Sequence, residues 1–323
     1  MFHKNFIVPV TLVMLLSPMV GMGADKLKKA TFRPQWVPQA QFAGYYTAVA
    51  KGFYKNHGID LEIIAGGPGI VPSQNLAKKK ETFGTDLLIG AMSLAAKGAP
   101  VINIGQIFQT TALSLITKKS TNINSPQEMD KKKVGVWPGL FQVPPIVLFR
   151  RLKIAPVTQI QKFSMDEFIE GKVDVASAMT YNEYLVALQS VPEKDLKVFH
   201  FKDFNLNFPD DGIYAHKDTC DADPKLCSGF VKASVEGWKY AFAHPSEAID
   251  AVMDAATKAK TNTTRAHQEK MLAEVQKLVA YRTGIDKIGG LDKKDFKFVR
   301  EILKEQGEWK TDVSYENFYR NVQ

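Results

Sequence analysis

The stretch FRPQWVPQAQFAGYYTAVAKGFYKNHGIDLEI, residues 32–63, decides the fold. Phe42, Tyr46, Val49 and Phe53 recur at the spacing of one helix face. Gly58 stops that helix, IDLEII reads as the strand after it and TFR as the short strand before it. The result is a strand–helix–strand unit. Its first turn is unusual, because Trp36, Gln39 and Gln41 stand where two or three small polar residues would suffice. Residues between a strand's carboxyl end and the next helix face the crevice where ligands bind in α/β sheets. Trp36 and Tyr45 offer flat faces to a planar ligand, and Gln39 and Gln41 can each donate and accept, which suits a heterocycle with ring nitrogens and amino groups. The competing use has Trp36 capping the sheet and the glutamines in solvent. Tyr46 falls on the core stripe.

Outward from this unit the alternation continues. Strands are expected at DLLIG, VINIGQIF and LSLIT, with helices near NLAKKK and at MSLAAK, which makes an α/β lobe with a largely parallel sheet. The polar KKSTNIN, 118–124, breaks the pattern before SPQE, a capping box with Ser125 as cap, Pro126 at the first helical position and Glu128 reaching back. A second lobe follows, with strands at KVGVW, near Gln159–Phe163, at VDVASAM and at LKVFHF, and helices at PPIVLFRRL, near MDEFIEG and at NEYLVALQ. GIYAH reads as a return strand, and after it the chain is almost all helix. Such helices need an existing sheet to cover. The expected division is therefore 1–24, a signal peptide; 25–117, the first part of lobe 1; 118–210, lobe 2; and 211–323, the return crossover and C-terminal helices packing on lobe 1. Crossings near Thr117 and at Asp211–Ala215 make a hinge, with a cleft between the facing strand ends.

The signal peptide rests on Lys4, the apolar run FIVPVTLVMLLSPMV and the small residues GMGA, with cleavage near Gly23 or Ala24. The run carries Pro9 and Pro18 and is shorter than the roughly 20 apolar residues of a spanning helix. No cysteine follows for a lipid anchor, so a soluble periplasmic chain is expected. Losing Lys4 lowers the formal charge from +8 to +7, and the short runs KLKK, KKK and KKK read as solvated faces, so no nucleic-acid partner is expected. Cys220 and Cys227, seven positions apart, read as a local disulfide in an oxidising compartment. The six His are scattered, so neither a metal site nor a cofactor is expected. There is no GxSxG, no HExxH and no Cys, His and Asn set, which points to a binder and not an enzyme.

Further candidates lie at other strand ends. GGPG, Gly66–Gly69, allows a tight turn and close backbone approach, but it is neither GxGxxG nor a phosphate loop. VGVWPGLFQVPP ends a strand at Trp137, which is either a stacking face opposite Trp36 or a core residue. AMTYNEYL places Tyr181, Asn182 and Glu183 after a strand. A carboxylate there accepts hydrogen bonds from an amino-substituted ring or pairs with a cation, or else complements the helix dipole. Asp211, on the return crossing, either closes the cleft or forms a turn.

The stretches WVPQAQFAGYYTAVAKGFYKNHGIDLEIIAGGPG, GQIFQTTALSLITKKSTNINSPQEMDKKKVGVW and EGKVDVASAMTYNEYL resemble the substrate-binding proteins of ABC importers. The group includes thiamine-pyrimidine-precursor binders and the related yeast pyrimidine synthase. The likeness covers roughly Thr31–Val186, and the C-terminal helices in general character only. It implies a two-lobed, type II-like periplasmic-binding-protein fold, a permease partner in the inner membrane, and ligand contacts at Trp36, Tyr45 and Glu183. Similar proteins carry sulfonates, nitrate or flavins. The yeast-type synthase has a cysteine-rich iron motif that this chain lacks, which argues against the enzyme. Glu183 and paired aromatics fit a neutral or amino-substituted heterocycle; a sulfonate or nitrate would call for Arg or Lys. The expected ligand is a small planar nitrogen heterocycle, a thiamine-related pyrimidine.

Overall fold

Two five-stranded sheets, joined by two crossings of the chain, organise the molecule. The computed structural model describes residues 1–2 and 26–322, so the expected signal peptide, apart from its first two positions, lies outside the described residues. The chain starts with β1 (Lys28–Arg33), α1 (Ala43–Ala50), α2 (Phe53–Asn56), β2 (Ile59–Ile63), α3 (Pro72–Ala77), β3 (Phe83–Asp86), α4 (Leu88–Ala96) and β4 (Val101–Gln106). It then crosses to β5 (Leu113–Lys118), β6 (Lys133–Val136), α5 (Val143–Leu152), β7 (Val157–Ile160), α6 (Asp166–Ile169), β8 (Val175–Met179), α7 (Glu183–Ala187) and β9 (Leu196–His200). It returns through β10 (Gly212–His216) to α8 (Lys217–Ala222), α9 (Pro224–Ala243), α10 (Pro245–Lys258), α11 (Arg265–Val279), α12 (Lys293–Glu305) and α13 (Tyr315–Phe318).

The strand orders are β2-β1-β3-β10-β4 and β7-β6-β8-β5-β9. Each sheet is mixed and not largely parallel. β1 pairs parallel with β2 and β3, and β6 with β7 and β8. The exceptions are β5 and β10, antiparallel to both their neighbours. These are the strands that first enter each sheet after a crossing, so each runs against the sheet it joins. LSLIT, expected in lobe 1, is β5 of the second sheet. The first crossing therefore falls at 107–112, ahead of Thr117.

Three local expectations are corrected. The expected long helix breaks at Gly52, φ +73°, into α1 and α2. DLLIG is not a strand, because β3 ends at Asp86 and the following Leu88–Gly90 begin α4; an apolar run that short carries no periodicity to tell helix from strand. The capping box does not form as expected. Ser125 makes no side-chain cap, while Glu128 Oε2 accepts the Asn124 N–H at 2.7 Å, over one 3-10 turn.

Helix α1 is buried almost all round, between the first sheet and helices α9 and α10. Phe42 and Tyr45 are fully buried, whereas Val49, assigned to the stripe, is 43% exposed. Two glycines set this packing. A Cβ at Gly44 would lie 2.2 Å from the Trp238 ring, and one at Gly237 would lie 2.1 Å from the Gly44 carbonyl. Any side chain there forces the helices apart.

Cys220 and Cys227 are joined, with Cα atoms 5.6 Å apart. The bridge ties α8 to α9 and does not pin a loop. Free-thiol counting on denatured, unreduced protein is expected to give zero. Replacing both cysteines by serine is expected to lower the unfolding free energy by roughly 2 kcal/mol, as read by chemical denaturation; two reactive thiols in the wild type would contradict the bridge.

Candidate functional site

A cavity of about 650 Å³, counted out to its mouth, lies between the two sheets' strand ends. Lobe 1 contributes Gln35, Trp36, Gln39, Gln41, the turn Ile70–Pro72, Asp86 and Leu87; lobe 2 contributes Trp137, Phe141, Phe163, Met179, Tyr181, Asn182 and Glu183. The structure thus brings together Trp36, Gln39, Gln41, Trp137, Tyr181, Asn182 and Glu183. It leaves out two residues expected there. Tyr45 is wholly buried, its ring centroid 4.5 Å from Phe32 and 5.7 Å from Trp238, because the close approach of α1 to α9 turns it into the core. Asp211 is buried behind the wall and touches the cavity only through its neighbours.

The opening motif reaches the cavity because the backbone beside it is crowded into place. A Cβ on Gly66 would sit 2.0 Å from the Pro34 carbonyl and 2.8 Å from the Trp36 amide nitrogen, so the GGPG turn packs directly on the segment carrying Trp36. Thr85 Oγ1 accepts the Gln35 N–H at 3.0 Å. Trp36 then projects toward lobe 2, where its ring lies edge-on to Phe163 with centroids 5.1 Å apart. Phe163 in turn lies 5.9 Å from Trp137, and Trp137 5.7 Å from Phe141. The aromatic wall is continuous across the lobe boundary.

The polar groups are mainly acceptors. Glu183, half-buried at the start of α7, receives the Met179 N–H at 3.1 Å and the Asn182 Nδ2 at 2.8 Å. Burial nonetheless pushes its carboxyl up, against those hydrogen bonds. On the lobe 1 side, Asp86 ends β3 and accepts from Ser73 Oγ and from the Leu87 N–H at 2.8 Å. Burial raises it to about 6 despite these donors. Among the described residues lining the cavity there is no Lys, Arg or His. Arg33, the basic residue nearest the motif, is turned onto Glu81 and the Ala65 carbonyl, both at 2.7 Å.

Behind the wall, Asp211 accepts from the amides of Gln35 and Gln41, and Gln41 Oε1 accepts from Gln39 Nε2 at 2.6 Å. The preceding residue, Asp210, accepts the Ala112 N–H at 2.7 Å and Thr111 Oγ1 at 3.3 Å, tying one crossing to the other. Burial raises Asp210 to about 7 and, with the charge of Asp210, pushes Asp211 well above the ordinary range. The lobes also touch through His267 and Asn182, Nε2 to Oδ1 2.9 Å, and through Arg150 and Glu305, 2.5 Å.

A family profile described as NMT1/THI5 like matches residues 39–248. The chain belongs to that family. The chain is 25% identical to the riboflavin-binding protein RibY of Chloroflexus aurantiacus over 69% of its own length and 65% of that relative, so it spans just under two thirds of it. It is 21% identical to a putative thiamine biosynthesis protein of Haemophilus influenzae, covering 69% of this chain and 72% of that one. Among solved structures, the periplasmic aliphatic sulphonate binding protein SsuA of Escherichia coli superimposes with a TM-score of 0.70 at 10% identity, over 90% of this chain and 91% of that one. The fold of this NMT1/THI5-like chain is the α/β two-lobed periplasmic-binding-protein fold. Among its described residues no helix is long and apolar enough to cross a membrane.

Sequence reasoning missed Asp86, Phe163 and Gln35. Asp86 was hidden by reading DLLIG as a strand; had β3 been ended at Asp86, its carboxylate would have stood at a strand's carboxyl end. Phe163 and Gln35 carry no local signal. The raised value of Asp86 has a definite sign. The folded state keeps a proton that the unfolded chain, with a value near 3.8, has released. Its stabilising contribution is therefore complete below the unfolded value and lost as pH rises through about 6. Asp86→Asn should gain stability relative to wild type, by on the order of 3 kcal/mol, between acid and neutral pH. Urea denaturation of both proteins at about pH 3.5 and about pH 7.5 checks this; an equal difference at both would contradict it.

Proposed function

We infer that this chain is the periplasmic solute-binding component of an ABC importer, without enzymatic activity, and that it closes on a small planar nitrogen heterocycle bearing amino groups, a thiamine-related pyrimidine. The observation that carries the reading is the cavity itself: an aromatic wall shared by Trp36, Phe163 and Trp137, carboxylates from both lobes at Glu183 and Asp86, and no basic side chain among the described lining residues. A sulfonate would meet carboxylates there and no cation to pair with. An aminopyrimidine would meet flat faces and acceptors.

Closure supplies the mechanism. A ligand held by Trp36 and the lobe 1 wall completes its contacts with Glu183 on lobe 2, and its differential affinity draws the lobes together. The Trp36–Phe163, His267–Asn182 and Arg150–Glu305 contacts all bridge the lobes and break on opening. The closed form would then be handed to a permease in the inner membrane. Relatives named as riboflavin-binding and as thiamine biosynthesis proteins support a heterocyclic cargo.

Calorimetric titration with an aminopyrimidine, with riboflavin and with an alkanesulfonate tests the cargo. The aminopyrimidine is expected to bind, and binding of the sulfonate alone would overturn the heterocycle reading. In Trp36→Ala the loss should be roughly 1 to 3 kcal/mol, the range for stacking on an aromatic face. Glu183→Gln should lose a comparable amount, roughly 1 to 3 kcal/mol, because an acceptor becomes a donor. Unchanged affinity in both variants at unchanged thermal stability would place the ligand elsewhere.

A further inference from the structure

We propose that Asp211, although it does not line the cavity, sets the hydrogen-bonding sense of the lobe 1 wall and so makes the site select rings that present N–H donors to it. The inference rests on the heterocycle reading above and concerns which edge chemistry that heterocycle must have. A glutamine amide has no intrinsic preference between its two orientations, since oxygen and nitrogen exchange places by a simple flip. The direction comes from the partner. Asp211 accepts the Nε2 hydrogens of both Gln35 and Gln41, which commits those two donors away from the cavity. Gln41 Oε1 then takes the Nε2 of Gln39 at 2.6 Å, so a third donor is spent in the same sense.

What the relay leaves toward the ligand is oxygen. Gln35 lines the cavity, and its Oε1 is buried with no hydrogen-bond partner. A buried acceptor without a donor is costly and is rare in native proteins, so it marks a place where something donates. On the facing lobe the same sense holds: Asn182 Nδ2 is spent on Glu183 and its Oδ1 is engaged by His267. With Asp86 and Glu183, the wall offers carbonyl and carboxylate oxygens from both sides. A ring amino group fits this wall. A ring carbonyl in the same place sets acceptor against acceptor. A proton on Asp211 would undo part of the relay, because a protonated carboxyl donates to one of the two amides and turns it round, the same change that Asp211→Asn makes.

The backbone allows a clean test. Asp211 has φ +47°, a left-handed conformation that asparagine tolerates as well as aspartate. Asp211→Asn supplies a donor at the root of the relay, so one glutamine turns round and directs an N–H into the cavity. The probes are 4-aminopyrimidine and 4-pyrimidinone, which differ at the one edge group, titrated calorimetrically into wild type and variant with melting curves recorded for each. Wild type should favour the amino ring by at least about tenfold, and in Asp211→Asn that ratio should fall at least about fivefold with the melting temperature little changed. An unchanged ratio in a variant that melts like wild type overturns the proposal and leaves the heterocycle reading standing. Failure of wild type to bind either ring overturns both. If Asp211→Asn loses its melting transition, Gln35→Met takes its place, removing the buried, unpartnered acceptor while Asp211 stays. There the amino ring alone should weaken, by about tenfold, and equal loss for both probes overturns the proposal.

Discussion

Asp210 and Asp211 stand side by side on the return crossing and pull on different parts of the molecule. Asp210 holds the Ala112 amide and the Thr111 hydroxyl of the first crossing, and Asp211 holds the amides of Gln35 and Gln41 in the opening motif. Two neighbouring buried carboxyls are expensive, and each is pushed up from its ordinary value. They are sustained by hydrogen bonds to both oxygens of Asp211 and by two to Oδ2 of Asp210. The hinge and the cavity wall therefore share one polar anchor. Removing either carboxylate would leave buried donors unmatched on an element that the other does not support.

The apolar side of the design is tighter than a helix on a sheet usually requires. Gly44 and Gly237 bring α1 against α9, and Trp238 lies over the first glycine. Phe32, Tyr45 and Phe230 then fill the space beneath. The consequence is felt at the site. With α1 fixed so closely, the segment before it has one path, past Gly66, and that path delivers Trp36 to the cleft and Gln41 to Asp211. Core packing and the cavity's geometry are set by the same crossing of two helices.

Similarity of fold leaves room for different cargo. The solved sulfonate-binding neighbours superimpose over about nine tenths of the chain at identities near one in ten, which speaks for the two-lobed frame alone. The character of this chain's cavity is local: acidic groups on both sides, amide donors turned onto Asp211, and Arg33 bound to Glu81. Each is a side-chain choice made on strand ends and turns that the frame merely positions.

The order of strands and helices was legible because hydrophobic period is a local property: TFR, IDLEII, VDVASAM and GIYAH each read as strands from a few residues. The same locality explains why Trp36, Gln39, Gln41, Trp137 and Glu183 stood out, since each sits at a strand end or helix start that a cleft must face. Tyr45 misled because periodicity cannot see a second layer; the glycine crossing that buries it joins residues nearly two hundred positions apart. LSLIT misled because a strand's sequence records its faces and not its sheet, and only pairing with β8 and β9 assigns it. Asp86 was masked by an apolar run too short to have a period. By itself, then, the sequence determined most of the elements, the two-lobed class and seven of the cavity's sixteen lining residues. Tertiary structure alone decided which residues meet and which way their amides point, because a hydrogen bond's direction depends on a partner that lies across the fold and not along the chain.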